Sequence, residues 1–172
     1  MKIDLTNTKI NKIKSDIEIV LVNKIDNLKE KELLESLGFK AVDEAIVFLP
    51  ESKKIFVGFE DETYDCLAIA IATAIKKFQT TTFKNAKLDL SSFDSDILKF
   101  IVEGTILGAY TFNNYKSKQD KKKKQELIIS VQEDSPTLDN IELNSILEES
   151  TIISKAVNKA RDMVNTTPSD FY

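Results

Sequence analysis

The run Ile17-Glu18-Ile19-Val20-Leu21-Val22 constrains this chain most. It is β-branched and nearly continuous in apolar residues, the pattern of an interior strand covered on both faces. Such a strand needs neighbours, and the rest of the chain supplies them. Ile3 and Leu5 alternate with polar residues and predict a short first strand. Ala45 to Leu49 and Lys54 to Phe59 read as two strands joined across Pro50-Glu51-Ser52-Lys53, a connection that suits a hairpin. Ala86 to Leu90 is a weaker strand, and Gln125 to Val131 is the last.

Between these runs the apolar period changes to that of a helix. Leu28, Leu33, Leu34 and Leu37 predict a helix over 27–37, closed by Gly38 as its C-cap. Tyr64, Leu67, Ala68, Ile71, Ile75 and Phe78 form one stripe of a helix over 62–78. Its alanines, Ala68, Ala70, Ala72 and Ala74, let it approach a sheet closely. Asp94-Ser95-Asp96 opens another helix, which one of those side chains is expected to cap, and which reaches Tyr110. The last helix covers 144–166. Strands and helices alternate around one hairpin, so the predicted class is α/β, a mixed β-sheet flanked by helices on both faces. The chain has 172 residues, enough for one domain with a real core.

There is no histidine, which excludes Ser-His and Cys-His nucleophiles and every His-ligated metal site in this chain. The net charge of −4 argues against a dedicated nucleic-acid binder. The single cysteine, Cys66, cannot form an internal disulfide and is expected as a small buried hydrophobe in a reducing compartment. No signal peptide is visible at Met1-Lys2-Ile3-Asp4-Leu5, and no stretch approaches the ~18 apolar residues of a membrane span. The expected location is cytoplasmic.

Several side-chain groups invite a chemical reading. Glu60-Asp61-Glu62 with Asp65 offers oxygen ligands to a hard cation. The cluster also sits at a predicted helix start, where carboxylates meet the positive end of the helix dipole, and that reading is preferred. Asp94 and Asp96 are read the same way. Gly104 and Gly108 lie four apart inside a predicted helix, where each glycine costs about 0.8–1.0 kcal/mol. Close packing of that helix on a sheet is the expected compensation. Tyr110, Phe112 and Tyr115 just beyond look like packing residues. Six lysines, Lys116, Lys118, Lys121, Lys122, Lys123 and Lys124, form the low-complexity stretch. They offer contacts to phosphate, against the alternative of a solvated loop, which the acidic net charge favours.

Two segments carry a resemblance. Ala160-Arg161-Asp162-Met163-Val164-Asn165-Thr166-Thr167-Pro168 resembles the A-R-D-L-V-N-T-P-P stretch of the leucyl (cytosol) aminopeptidase family. Met163 stands there for Leu, and Thr167 for the first proline. The segment from Glu103-Gly104 through Leu107-Gly108, Tyr110, Phe112 and Tyr115-Lys116-Ser117 is similar to the family's E-G-x-x-L-G-x-Y-x-F-x-x-Y-K-S. Pro168 is expected to close the last helix near Thr166. In the family the first stretch joins an amino-terminal domain to the catalytic one. The chain is therefore expected to be residues 1–143 of a non-catalytic amino-terminal domain, followed by a linker helix, 144–172, leading to an absent catalytic domain.

The resemblance implies more. The family releases amino-terminal residues from peptides with two divalent metal ions, zinc or manganese, held in the carboxy-terminal domain about 3.5–4 Å apart. The ligands lie on N-T-D-A-E-G-R and on a lysine-containing segment ending F-D-S-G-G; neither motif occurs here. No catalytic, cofactor-binding or metal residue carries over, and the chain alone is expected to be inactive. The implied partners are its own catalytic domain and the other subunits of a homo-hexamer, with peptides reached only through the missing domain. The implied fold is macro-domain-like, and macro domains bind ADP-ribose. The four glycines, Gly38, Gly58, Gly104 and Gly108, make no phosphate cradle, so nucleotide binding is not expected. The competing reading is a stand-alone ligand- or nucleic-acid-binding module of the same fold, with the lysine run as its contact.

Overall fold

Hydrophobic alternation along six strands and the stripes of four helices close into one layered unit in the computed structural model, which describes residues 1–115, 124–131, 140–167 and 170. The elements run β1 (Lys2–Thr6), β2 (Ile17–Val22), α1 (Lys31–Ser36), β3 (Ile46–Leu49), β4 (Lys54–Gly58), α2 (Tyr64–Thr80), β5 (Asn85–Asp89), α3 (Ile97–Gly108), β6 (Glu126–Ser130) and α4 (Asn140–Asn165). The sheet order is β1-β6-β5-β2-β4-β3. Every pairing is parallel except the β3–β4 hairpin, so the mixed sheet read from the sequence is the sheet observed.

The run 17–22 takes the interior position, between β4 and β5. Its side chains alternate between two cores. Ile17 and Ile19 join Ile55, Val57, Leu88 and Ile129 beneath α2 and α3, while Val22 joins Leu34 of α1 with Phe56 on the other face. Helices thus cover both faces, unequally. α1 is shorter than its periodicity suggests, because turns from Ile25 to Leu28 and from Leu28 to Lys31 occupy the preceding residues. Gly38 does close it: at φ +72°, it lets Phe39 N–H bond Leu34 O and Gly38 N–H bond Glu35 O, satisfying carbonyls that the helix end leaves open.

Two expectations about helix starts fail. Neither Asp94 nor Asp96 caps α3 with its side chain. The backbone carbonyls of Asp94 and Ser95 accept from Ile97 and Leu98 instead, so the turn itself serves the first free N–H groups. At α2 the cap is Thr63, whose hydroxyl accepts from Cys66 N. α4 begins at Asn140, ahead of the expected 144.

Candidate functional site

Gly104 and Gly108 set the depth at which α3 lies, and they face α2, not the sheet as expected. A Cβ at Gly104 would stand 2.4 Å from Ile71 Cγ2 and 2.5 Å from Ala68 O; one at Gly108 would stand 2.6 Å from Ala72 Cα. The alanines of α2 are divided accordingly. Ala68 and Ala72 receive the glycines, while Ala70 and Ala74 are fully buried. Close backbone approach is what glycine permits, and it delivers the end of α3 to α4.

α4 lies along α3 and caps it from outside. Asn158 Nδ2 donates to Ile106 O at 3.2 Å, and Arg161 Nη1 donates to Leu107 O at 3.3 Å. Both carbonyls belong to the last turn of α3, where helical partners run out; Leu107 O also accepts a long bond, 3.4 Å, from Tyr110 N. A cation there also suits the negative end of the helix. Tyr110 Oη donates to Asp162 Oδ1 at 2.9 Å and accepts from Asn165 Nδ2 at 3.2 Å, and the Arg161 guanidinium lies over the Tyr110 ring, 5.6 Å from its centroid. Tyr115 continues the seam although it is 51% exposed. Its hydroxyl accepts from Thr167 N and donates to Asp170 Oδ2, both at 2.7 Å. The Tyr115 hydroxyl, and after it the Thr167 hydroxyl, which donates to Asp170 Oδ2 at 2.8 Å, hold the Asp170 carboxyl below its usual pKa. The two segments that carry the family resemblance are therefore bonded to each other.

Leu143, Ile146 and Leu147 join the main core, and Ser150 and Ser154 are buried. Of the helical stripe Ile146, Ile153, Ala156, Val157, Ala160 and Val164, every member after Ile146 is exposed. Beyond Leu147 the face used inside this domain is the one carrying Ser150, Ser154 and Asn158, whose short side chains are compatible with close helix packing.

Further along α3, Glu103 is only 7% exposed, and its Oε2 accepts from Tyr64 Oη at 2.8 Å. That bond, with burial second, raises the phenol pKa. Tyr64 also meets Phe100 edge-on at 5.3 Å. Nothing in the sequence paired Tyr64 with Glu103, 39 residues away.

The remaining sequence candidates are dispersed. Cys66 is half-buried, not a core residue, and its Sγ donates to Asp43 Oδ2 at 3.1 Å. Asp43 Oδ1 in turn accepts from Glu60 N at 3.0 Å. Glu60, Asp61, Glu62 and Asp65 are exposed at the start of α2. Among the described residues no group of three His, Cys, Asp or Glu is placed to hold a metal ion, so these residues do not fit a metal pair. Lys116, Lys118, Lys121, Lys122 and Lys123 lie outside the described residues; Lys124 is exposed. An open groove of about 1050 Å³ runs between α4 and the β1 edge, past Ile3, Tyr110, Asn113 and Glu148. A smaller one, about 580 Å³, lies at the ends of β1 and β6 beside Thr6, Thr8 and Val131. No glycine lines either. No helix of the described residues is long and apolar enough to cross a membrane.

Known proteins resemble this chain in sequence and in fold. The profile of the cytosol aminopeptidase family, N-terminal domain, matches residues 23–119. A "Probable cytosol aminopeptidase" of Wolinella succinogenes is 29% identical over 167 residues, covering 94% of this chain and 35% of that protein. A protein of the same name from Campylobacter jejuni is 29% identical over 175 residues, covering 98% and 36%. The chain thus spans about a third of the length of the curated relatives it matches. Among solved structures, a tomato leucine aminopeptidase mutant superposes with a TM-score of 0.72 at 14% identity, covering 96% of this chain and 38% of that one. The bottromycin maturation enzyme BotP gives 0.67 at 18%, covering 90% and 33%. At such identities the likeness is one of fold.

Proposed function

Since this chain belongs to the cytosol aminopeptidase family, whose amino-terminal domain it carries, we propose that it is the non-catalytic part of a metal-dependent aminopeptidase, supporting assembly rather than bond cleavage. The family is one of metallopeptidases. The parent reaction is hydrolytic release of amino-terminal residues from peptides in the cytoplasm, with two zinc or manganese ions held by residues beyond this third of the protein. Its partners are that catalytic portion and the other subunits of a homo-hexamer. One observation carries the reading: the match takes in nearly all of this chain and only about a third of each relative.

Residues 1–143 form the amino-terminal unit in this reading, and 144–172 the helix that leads onward. The burial of Ile146, Leu147 and Ser154 supports treating that helix as attached to the unit along its inner face. The chain alone, supplied with zinc or manganese, should not turn over a leucine-linked chromogenic amide. The same chain joined to the carboxy-terminal two-thirds of the Wolinella relative should do so. Turnover by the chain alone, or an inert but folded fusion, overturns the reading.

A further inference from the structure

β1 stands at one edge of the sheet, and half of its backbone has no strand to meet among the described residues. Lys2 N donates to Gln125 O at 3.2 Å, and Val131 N donates to Thr6 O at 3.0 Å. Such bonds come from alternate residues of a parallel strand. Lys2, Asp4 and Thr6 therefore serve β6, and the N–H and C=O groups of Ile3 and Leu5 point off the sheet. α4 runs beside that edge in the opposite direction. Leu143 and Asn144 line the smaller groove with Leu5 and Thr6, whereas Thr151, Lys155 and Asp162 line the larger one with Met1 and Ile3. The two grooves thus lie end to end, with a strand edge as one wall and a helix as the other. Their far ends differ in charge. At the Met1 end stand the Asp162 carboxylate and Asn113, whose Oδ1 is buried without a hydrogen-bond partner among the described residues. At the Thr6 end stand the ammonium groups of Lys9 and Lys12, both exposed. Between them Glu148 and Lys155 offset each other, and Lys2 is taken up by Asp4 and Glu126.

We propose that this trough binds a short linear peptide with free ends, extended and parallel to β1, as an added strand. Strand addition takes affinity from main-chain hydrogen bonds and selectivity from alternate side chains. The outward groups of Ile3 and Leu5 supply the first. Ile106, Ala109 and Leu147 along the helix side supply the second, favouring an apolar side chain at every other position. Charge sets the direction, with the peptide ammonium against Asn113 and Asp162 and its carboxylate against Lys9 and Lys12. β1 has five residues, which at ~3.3 Å each span about 17 Å, so a peptide of about six residues reaches both ends.

The test titrates the peptide T-V-S-V-T-V, with free termini, into the isotope-labelled chain and follows backbone amide signals. Saturable shifts at Ile3 and Leu5, larger than that at Asp4, are expected. N-methylation of alternate peptide amides separates the two edges of the added strand: one set should abolish binding and the other leave it unchanged. Acetylating the amino end or amidating the carboxyl end should each weaken binding about tenfold, the scale of one lost charge-assisted bond. In the Lys9→Gln, Lys12→Gln double variant, whose altered side chains are exposed, amidation should lose its effect while acetylation keeps its own. Absence of shifts at millimolar peptide, or equal loss from both N-methylated sets, overturns the proposal. Equal affinity for free and doubly blocked peptides also overturns it. Shifts at Ile3 and Leu5 that grow with protein concentration without peptide, alongside a dimer by light scattering, assign the edge to a second copy and overturn it too. None of these outcomes bears on the turnover test of the aminopeptidase reading.

Discussion

Tyr110 and Asp162, 52 residues apart in sequence, are joined by a 2.9 Å hydrogen bond from the phenol to the carboxylate. Around it Asn158 and Arg161 supply donors to the last-turn carbonyls of α3 at Ile106 and Leu107. The bond thus fixes how α4 lies on the domain, and hence which face of the helix remains outside. Tyr110→Phe keeps the ring beneath Arg161 and removes only the hydroxyl. Loss of a charged-acceptor bond of this type costs about 1.5–3 kcal/mol, and less here because the pair is only partly buried. The expected result is a lower urea midpoint with an unchanged slope, and faster hydrogen exchange confined to the last turns of α4. Exchange that rises uniformly would show that the bond does not act locally.

Gly104→Ala raises helix propensity yet should destabilise. The new methyl would stand 2.4 Å from Ile71 Cγ2, 2.5 Å from Ala68 O and 2.9 Å from Ala68 Cα, so backbone as well as side chain must yield. Overpacking of this sort costs about 1–3 kcal/mol, exceeding the roughly 1 kcal/mol gained from replacing glycine in a helix. Chemical denaturation decides the sign; a stabilised variant would mean that α2 and α3 separate easily.

Asp16 contributes to the acid side of the stability profile. Its Oδ2 accepts from Lys84 N at 2.8 Å and Asn85 N at 3.1 Å, holding the entry to β2 against the start of β5. Those two bonds lower its pKa from the ordinary 3.8. A depressed folded pKa means that the contribution is present above the unfolded value and disappears as pH falls through the folded one. Asp16→Asn should therefore reduce stability near neutrality and flatten the fall in melting temperature below about pH 4. An identical acid profile in the variant would count against this assignment.

Tyr64 acts at the other end of the scale. Glu103 raises its pKa, so the folded state favours the neutral phenol. The contribution holds below the unfolded pKa, near 10, and is lost as pH rises through the folded one. Glu103→Gln removes the charged acceptor and should bring the Tyr64 ionisation back toward its ordinary value. Ultraviolet titration at the phenolate band, compared with Tyr64→Phe, reads this directly; an unchanged titration would show that Glu103 does not govern Tyr64.

Local pattern was enough for the element types. The run at β2, the hairpin across Pro50 and the C-cap at Gly38 are encoded by neighbours in sequence, because strand period, turn chemistry and left-handed backbone are local properties. The absence of histidine and the two segments similar to the aminopeptidase family were equally plain. The α3 start was misread for the same local reason: Asp94 and Asp96 have capping side chains, but the backbone turn had already satisfied the N–H groups.

The sequence by itself therefore determined the strand and helix order, the α/β class and the family. The tertiary structure alone decided what each helix face meets. Glycines compatible with close packing on either layer were assigned to Ala68 and Ala72 of α2, and the apolar stripe of α4 beyond Ile146 was turned outward while Ser150 and Ser154 were buried. Hydrophobic periodicity records that a face will be covered, not by what. The answer depends on the register of α3 and α4, which side chains more than fifty residues apart set by touching.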